Sequence, residues 1–490
     1  MKKTILMFAA LSCSAVAAAQ QWDGPLQFLS PGESPGGTAA MAQSDLQQVA
    51  DAALDEDRIA WDFVEGITTE VGPRQAGTEA EARARAWATA WLKAKGFANV
   101  ADEPFMMDTW VPGDVARARV TAPFAQDMVV LPLGNSAATP SGGIEAEVVF
   151  FRTVDELRAA PEGSLAGKIA YISHQMRPAQ DGSHYGFAGP ARWVGPGIAA
   201  SKGAIGAVIK SVGTDHHRNP HTGGTSFPEG VKAIPAGALS LPDAENLERM
   251  FARAKGRPVT LKLEMNPRQI GQTQSGNVVG EIVGRNPSLP PVLLACHIDS
   301  WWNAPGAFDD GAGCAIIAAS AFHVKQSGQP LRTIRVLMAG AEETGLWGSQ
   351  AYSKAHPDEA LAVGIESDFG ADRIWRFDSN FLEANPALHK RIAAAVARFG
   401  VSTGSDAATG GADLNIVRDQ KGALIDLQQD GTRYFDLHHT PDDTLDKIDI
   451  AQLRQNVAVW TQVVGILANE STSIQTGGPI PSAPAIMQDK

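Results

Sequence analysis

Hydrophobic and polar positions follow three different patterns along the chain. Between about residues 45 and 122 the pattern is helical, most clearly in "EAEARARAWATAWLKAKGF", where Ala, Trp and Leu recur at spacings of three and four. Between about residues 123 and 271, short apolar runs such as "AEVVFF" and "IGAVIKS" are separated by Gly, Pro and Asn turns, which is typical of a β-rich module, with one helix predicted at "DAENLERMFARAKG". Between about residues 272 and 470, apolar runs such as "PVLLAC" and "TIRVLMAG" alternate with long Ala-rich helical patterns. This last pattern predicts an α/β fold with a mixed, largely parallel central sheet flanked by helices.

The two ends of the chain have a different composition. The opening "MKKTILMFAALSCSAVAAAQ" has two lysines, a short apolar run and then small residues, so we expect a signal peptide over residues 1–19 and export to a periplasm or beyond. Lipid attachment at Cys13 fits this segment poorly. A Pro/Gly-rich arm is expected over residues 20–44 and a flexible tail over residues 471–490. No later stretch approaches the roughly 20 apolar residues that a bilayer span requires, so stable membrane insertion is not expected.

Charge and cysteine content narrow the class of protein. The formal net charge is −13, which disfavours nucleic acid as a partner. Beyond the leader the chain has two cysteines, Cys296 and Cys314. An oxidising compartment would permit a disulfide bond between them, but two cysteines do not make a disulfide scaffold and we expect small buried thiols.

Acidic and imidazole side chains follow the apolar strands of the third region. Ligands gather at the carboxyl ends of the strands in open α/β sheets, so these residues are expected at one edge. A helix N-terminus stabilises a carboxylate by only about 0.3–1 kcal/mol, which is too little for so many like charges, so divalent metal is expected. The segments are "HID" after "VLLAC", "AEE" after "VLMAG" and "ESD" after "LAVGI", with "DDGAG" at the start of a predicted helix and "YFDLHHTPDD" later in the chain.

A centre with two ions makes a further demand on the sequence. Paired ions need a carboxylate that can place one oxygen on each ion, and they need a general base that is not itself a ligand. Two adjacent glutamates can supply one ligand and one base. Glu342 and Glu343 are such a pair.

Four segments occur in this order along the chain: "HIDSWWNAPGAFDDGAG", "AGAEETGLWGS", "ESDFG" and "HHTPDDT". Together they resemble the secreted two-zinc exopeptidases, the group that includes bacterial leucyl aminopeptidases and carboxypeptidase Q. "VGPRQAGT" is also similar to that family, and "GPGIAASKGAIGAVIKSVGTDHHRNPHTGG" resembles a protease-associated domain. The resemblance implies a zinc-exopeptidase sandwich built from residues 45–122 and 272–470. Residues 123–271 would form an inserted, β-rich protease-associated domain.

Carried over residue by residue, the resemblance implies two Zn²⁺ ions and a role for each side chain. The carboxylate shared by both ions would be that of Asp309, and a cis peptide bond would follow it. Glu342 would be the general base, and Asp299 would lie behind His297 and fix its tautomer. His438 could face the substrate and donate a hydrogen bond to the carbonyl oxygen. The ligands of one ion would be His297 and Asp368, and those of the other Glu343 and His439.

Simpler interpretations compete with several of these roles. An aspartate pair at a helix start is often an N-cap, which is the favoured interpretation for Asp310, and the two glutamates could favour a helix start through its dipole. His438 could be an ordinary polar residue that lines the cleft.

Other polar and aromatic residues are also open to two interpretations. The histidines of "TDHHRNPHTGG", which are His216, His217 and His221, could form a second metal site, but Pro and Gly favour a loop that reaches over the cleft. Trp301 and Trp302 could line an apolar specificity pocket or simply pack in the core.

These observations together predict a secreted or periplasmic zinc exopeptidase that acts on short peptides, with aminopeptidase or dipeptidase activity favoured. A carboxypeptidase Q-like carboxypeptidase is the main alternative. Glutaminyl cyclase shares the fold but lacks the insert, and a non-catalytic receptor-like module would not need an intact ligand set with Glu342. The insert could cap the site, mediate formation of a homodimer, or do both.

Overall fold

The computed structural model describes residues 43–476. The predicted signal peptide (1–19), nearly all of the predicted arm (20–44) and most of the predicted tail (471–490) lie outside the described residues.

Strands and helices alternate over the whole described region. The strands are β1 (Ala98–Val111), β2 (Ala116–Ala122), β3 (Gln126–Met128), β4 (Val130–Pro132), β5 (Ile144–Phe151), β6 (Ile169–Ile172), β7 (Gly206–Lys210), β8 (Ala236–Leu239), β9 (Thr260–Met265), β10 (Arg268–Ile282), β11 (Val292–His297), β12 (Ile334–Ala339), β13 (Val363–Glu366), β14 (Ile374–Ser379), β15 (Ser402–Thr403) and β16 (Leu424–Gln429). The α-helices are α1 (Gln43–Glu56), α2 (Ile59–Gly66), α3 (Glu79–Ala94), α4 (Val154–Ala159), α5 (His184–Ala188), α6 (Pro190–Trp193), α7 (Gly195–Ser201), α8 (Leu241–Ala254), α9 (Ala312–Gln326), α10 (Trp347–Ala355), α11 (Pro386–Ala397), α12 (Asn415–Asp419), α13 (Tyr434–Leu437) and α14 (Ile450–Ala468). Short π-helical turns lie at Ile67–Val71 and Ala307–Gly311, and a 3₁₀ turn at Leu445–Lys447.

The central sheet has eight strands in the order β1-β10-β12-β11-β13-β16-β14-β15. Its middle is parallel, because β11 pairs in parallel with β12 and β13, and β13 pairs in parallel with β16. The long strands β1 and β10 add an antiparallel edge. Helices α9 and α14 contact each other in the core, and α9 is apolar on nearly every side because neighbouring elements surround it. The predicted α/β fold with a mixed sheet flanked by helices is confirmed.

A second eight-stranded sheet, in the order β3-β2-β9-β5-β6-β7-β8-β4, comes from the chain between β1 and β10. Its central strands β5, β6, β7 and β8 are parallel, and Val120, Tyr171, Val208, Leu247 and Leu261 belong to a core of its own. The helix predicted at "DAENLERMFARAKG" is α8, and the short helices α4 to α7 add more helix than the sequence pattern predicted.

The prediction of buried free thiols is wrong. A disulfide bond joins Cys296 on β11 to Cys314 on α9. The Cα atoms are 5.2 Å apart, which is within the range that a disulfide bond spans, because the helix packs directly on the strand. The bond ties the strand that ends at His297 to the helix that follows Asp309 and Asp310.

The parallel strands set the position of the candidate site. His297 ends β11, Glu342 and Glu343 follow β12, and Asp368 follows β13. These three neighbouring strands run in the same direction, so their carboxyl ends meet at one edge of the sheet.

Among the described residues, no helix is both long and apolar enough to cross a bilayer.

Candidate metal centre

The carboxylate of Asp309 lies between two histidines. Its Oδ1 is 3.0 Å from Nε2 of His297, and its Oδ2 is 3.5 Å from Nε2 of His439. A second carboxylate accompanies each histidine: Asp368 Oδ1 is 3.4 Å from His297 Nε2, and Glu343 Oε2 is 2.5 Å from His439 Nε2. The structure therefore brings together all five residues that the sequence predicts as ligands.

The spacing and the unpaired atoms of this cluster suit metal ions. Tetrahedral zinc with ligand bonds of about 2.0–2.1 Å places neighbouring ligand atoms about 3.4 Å apart, close to most of these distances. Among the described residues, Asp309 Oδ2 and Glu343 Oε1 are buried and accept no hydrogen bond. Buried carboxylate oxygens without donors are costly unless a cation neutralises them. The donor set of carboxylates and imidazoles therefore fits zinc.

Main-chain carbonyls fix the tautomers of both histidines. Nδ1 of His297 is 3.1 Å from the carbonyl oxygen of Asp299, and Nδ1 of His439 is 3.0 Å from that of Thr222. A carbonyl oxygen can only accept, so each Nδ1 carries a proton and each Nε2 faces the centre.

Asp299 differs in detail from the predicted arrangement. Its carboxylate lies 3.6 Å from His297 Nδ1, so the shorter contact is made by its main-chain carbonyl. The Oδ1 atom of Asp299 instead accepts a hydrogen bond of 3.2 Å from the main-chain N–H of Glu342. Asp299 therefore links the ends of β11 and β12.

The electrostatics of the cluster show how much negative charge is confined there. Burial and neighbouring carboxylates raise the pKa of Glu342, Glu343 and Asp368 above the usual range. Burial opposes the charging of His297, but the surrounding carboxylates, Asp368 above all, hold its pKa well above the usual range. Burial lowers the pKa of His439 to about 3, so this ring is neutral and able to bind a metal.

His438 is a second imidazole close to Asp309. Its Nε2 lies 3.6 Å from Asp309 Oδ2, and its ring stacks on that of His439 at a centroid distance of 3.7 Å. Donor atoms of these three residues lie within 4.8 Å of one another, as do those of His297, Asp309 and Asp368. No described residue partners Nδ1 of His438, so nothing fixes its tautomer as Thr222 fixes that of His439. This difference favours His439 as the ligand.

The two adjacent aspartates, Asp309 and Asp310, make different contacts. The carboxylate of Asp310 accepts from the main-chain N–H of Gly313 at 3.0 Å and from that of His297 at 3.2 Å, so Asp310 caps α9 as expected. The peptide bond between Asp309 and Asp310 is cis, as the family resemblance implied. A Cβ on Gly313 would lie 2.0 Å from the carbonyl oxygen of Ser367, so only glycine allows this close approach.

Comparison with known proteins identifies the family. The family model described as peptidase family M28 matches residues 277–464. Carboxypeptidase Q of Bos taurus is 30% identical over 407 residues, which cover 82% of this chain and 84% of the relative. This chain belongs to peptidase family M28. The predicted family is confirmed, and so is the class of enzyme, a metallo-exopeptidase.

Solved structures agree with the family. The crystal structure of a peptidase M28 precursor from Shewanella amazonensis SB2B is 40% identical, with a TM-score of 0.85, and the match covers 89% of this chain and 99% of the other. An aminopeptidase from Aneurinibacillus sp. strain AM-1 is 19% identical with a TM-score of 0.60, covering 89% and 98%. At that identity the second match shows the fold alone.

Two buried residues position the centre of this M28 chain, and the sequence pattern predicted a role for neither. Arg74, within "VGPRQAGT", donates from Nε to the carbonyl oxygen of Ile298 at 2.6 Å, from Nη2 to that of Gly306 at 3.0 Å, and from Nη1 to that of Pro305. It therefore fixes the loop before Asp309. The family resemblance marked the motif, but the partners of Arg74 lie more than 200 positions away.

Asp443, within "HHTPDD", holds the main chain of the bridging residue. Its two carboxylate oxygens accept from the main-chain N–H groups of Phe308 at 2.6 Å and of Asp309 at 3.1 Å. The same segment supplies His439, so one turn positions both a histidine and the carboxylate that faces it.

The module between β1 and β10 also contributes to the site. His221 is fully buried, with Nδ1 2.9 Å from the carbonyl oxygen of His438 and Nε2 2.8 Å from Asp215. Its neighbour Thr222 accepts from His439, so this loop contacts the segment that holds both histidines. Among residues 43–476, none of the possible metal-binding groups includes His216, His217 or His221.

Trp301 packs in the core, whereas Trp302 is half-buried. Trp301 is buried, donates from Nε1 to the hydroxyl of Thr222 and stacks on His439 at a centroid distance of 5.0 Å. Within the described part of the chain, neither Trp301 nor Trp302 lines the cleft.

A cleft of about 900 Å³ opens over the centre. Residues of the central sheet and of the module between β1 and β10 both line it, so the module forms part of the wall of the cleft. The central-sheet side includes Asp309, Glu342, Glu343, Trp347, Glu366, Asp368, Gln428, His438 and His439, and the module contributes Asn135, Tyr185, Arg192, Trp193, Thr225 and Phe227.

Asp443→Ala should lower the affinity for zinc by about 10–100-fold, because it frees the main-chain amides that fix Asp309. The measurement is competition with a chromogenic chelator. Asp442→Ala is the matched control: Asp442 lies next in sequence but accepts from Asn219 at 3.0 Å, away from the centre. Equal affinity in the two variants would contradict the positioning role of Asp443.

Proposed function

We propose that this chain is a two-zinc exopeptidase that hydrolyses peptide bonds in short peptides, acting as an aminopeptidase or dipeptidase. The observation that carries the proposal is the placement of Asp309, with one oxygen toward His297 and the other toward His439. A carboxylate in this position can bridge two ions about 3.5–4 Å apart. The names of the relatives point to both ends of a peptide, since one is a carboxypeptidase and another an aminopeptidase. Carboxypeptidase action is therefore the alternative.

His297 and Asp368 would bind one ion, and Glu343 and His439 the other. Each pair is supported by one imidazole whose Nε2 faces the centre and one buried or half-buried carboxylate next to it. Asp299 would orient His297 through its carbonyl oxygen.

Zinc, when bound, supplies a Lewis acid for the scissile carbonyl and lowers the pKa of water. Glu342 would accept a proton from the attacking water and deliver it to the leaving amine. Three observations support this role: Glu342 lines the cleft, it neighbours Glu343 without being needed as a ligand, and Asp299 holds its main-chain N–H. His438 would donate a hydrogen bond to the carbonyl oxygen as charge develops there, since it lines the same cleft and its Nδ1 has no partner among the described residues.

Purified protein should contain two zinc ions per chain by inductively coupled plasma mass spectrometry. Exhaustive chelation should abolish peptide hydrolysis, and added zinc should restore it, because the clustered carboxylates need cations. Activity that persisted at negligible zinc content would rule out the mechanism.

Glu342→Gln should keep both zinc ions and lower kcat by about 10²–10⁴-fold, because it removes only the proton acceptor. Glu343→Gln is the matched variant, and it should lose zinc together with activity. His438→Ala should retain zinc and lower kcat more than it changes KM. Full activity in Glu342→Gln would contradict its role as the base, and unchanged turnover in His438→Ala would remove that residue from the mechanism.

We further propose that residues 123–271 form a protease-associated domain and that the chain is exported after removal of a signal peptide. The disulfide bond between Cys296 and Cys314 supports export, because such bonds persist mainly in oxidising compartments. Expression in the native host should give a mature chain that starts near residue 20, and non-reducing peptide mapping should recover the linked cysteines. A full-length chain with both thiols free to alkylate would contradict the proposal.

A further inference from the structure

The inserted module places a buried cation in the wall of the cleft. Arg192, on the short helix α6, lines the same cleft as Asp309 and Glu342, and only 4% of its surface is exposed. An arginine buried to this extent is usually paired with a carboxylate, because an unpaired charge is costly to remove from water.

Among residues 43–476, Arg192 makes no ion pair within 4.0 Å. Its Nη1 donates to the carbonyl oxygen of Thr222 at 3.0 Å, and its Nη2 donates to the hydroxyl of Tyr185. Its Nε has no hydrogen-bond partner in this part of the chain. Burial raises the pKa of Tyr185 to about 12, so the phenol stays neutral and does not balance the charge.

The position of Arg192 relates it to the metal centre. The carbonyl oxygen of Thr222 that accepts from Arg192 also accepts from Nδ1 of His439, at 3.0 Å. The Tyr185 ring, which partners Arg192, lies 5.5 Å from the ring of His438. Arg192 and the Nδ1 atom of a predicted zinc ligand therefore share one acceptor, which places the guanidinium group beside the metal centre.

We propose that Arg192 binds the free C-terminal carboxylate of the substrate, one residue beyond the scissile bond. This inference rests on the proposed function and specifies its substrate class as dipeptides. On longer peptides the same contact would favour release of one carboxyl-terminal residue, which is the alternative named above. The planar guanidinium group suits a carboxylate because its donors form a fork that matches two oxygens. A neutral cleft wall would not distinguish a free acid from an amide.

An acidic side chain of the leaving residue offers the same carboxylate chemistry, so the substrates must separate the two sources. Three substrates do this: the dipeptide Ala-Leu, its C-terminal amide, and the amide of Ala-Glu. The zinc-loaded enzyme should cleave Ala-Leu with a kcat/KM about 30-fold or more above that of its amide, the effect expected for one buried charge pair. The two amides should be cleaved alike. A strong preference for the amide of Ala-Glu would assign Arg192 to the side chain and overturn the proposal.

Arg192→Gln should remove most of this preference for the free acid, chiefly by raising KM, while zinc content stays the same. Arg192→Lys should keep part of the preference, because it keeps the charge but loses the fork. Arg218→Gln is the matched control, since Arg218 belongs to the same module but pairs with Asp243 at 3.0 Å. An equal loss on acid and amide in Arg192→Gln would show a structural role and overturn the proposal.

A binding measurement separates this inference from the proposed function. Calorimetry of Ala-Leu and its amide with zinc-loaded Glu342→Gln protein measures recognition without turnover. The free acid should bind more tightly, and a further Arg192→Gln substitution should remove the difference. Equal binding of acid and amide would overturn the role of Arg192 even if hydrolysis is confirmed, whereas acid-selective binding without hydrolysis in the unsubstituted enzyme would contradict only the proposed function.

Discussion

The main constraint on the structure of this M28 chain is the repulsion among carboxylates that lie together at one edge of the central sheet. Asp309, Glu343 and Asp368 lie within a few ångströms of two histidines, and burial removes the water that would screen them. Two of the buried oxygens have no hydrogen-bond donor among the described residues. Zinc bound by these side chains would relieve this repulsion and would also supply the chemistry.

Bringing these charges together requires a rigid support, and the fold supplies it through main-chain contacts. Arg74 binds three carbonyl groups of the loop before Asp309, and Asp443 binds the amides of Phe308 and Asp309. The disulfide bond ties strand β11 to helix α9 immediately beside the site. Each of these contacts restrains the backbone, so the ligand side chains have few alternatives to the geometry that the centre needs.

The inserted module is part of the active-site cleft and of the support for its ligands. Thr222 fixes the tautomer of His439, and His221 binds the main chain of His438. Arg192 adds to the wall of the cleft a positive charge that makes no ion pair with any residue between 43 and 476.

The sequence by itself determined the fold class and predicted the candidate ligands that the fold brings together, because both depend on local patterns of residues. Apolar strands followed directly by His297, Glu342, Glu343 or Asp368 are visible within a few positions, and the family motifs add Asp309 and His439. The capping of α9 by Asp310 is local in the same way, since its partner is three residues away.

Only the tertiary structure decided the contacts that hold this centre in place. Arg74 and Ile298 are 224 positions apart, Thr222 and His439 are 217 apart, and Asp443 and Phe308 are 135 apart. The expected free thiols proved to be a disulfide bond because the packing of α9 on β11, and not the spacing of 18 residues, sets the distance between the cysteines. Which partner a buried arginine, carbonyl or thiol finds depends on the packing of distant segments, and a local pattern carries no information about that packing.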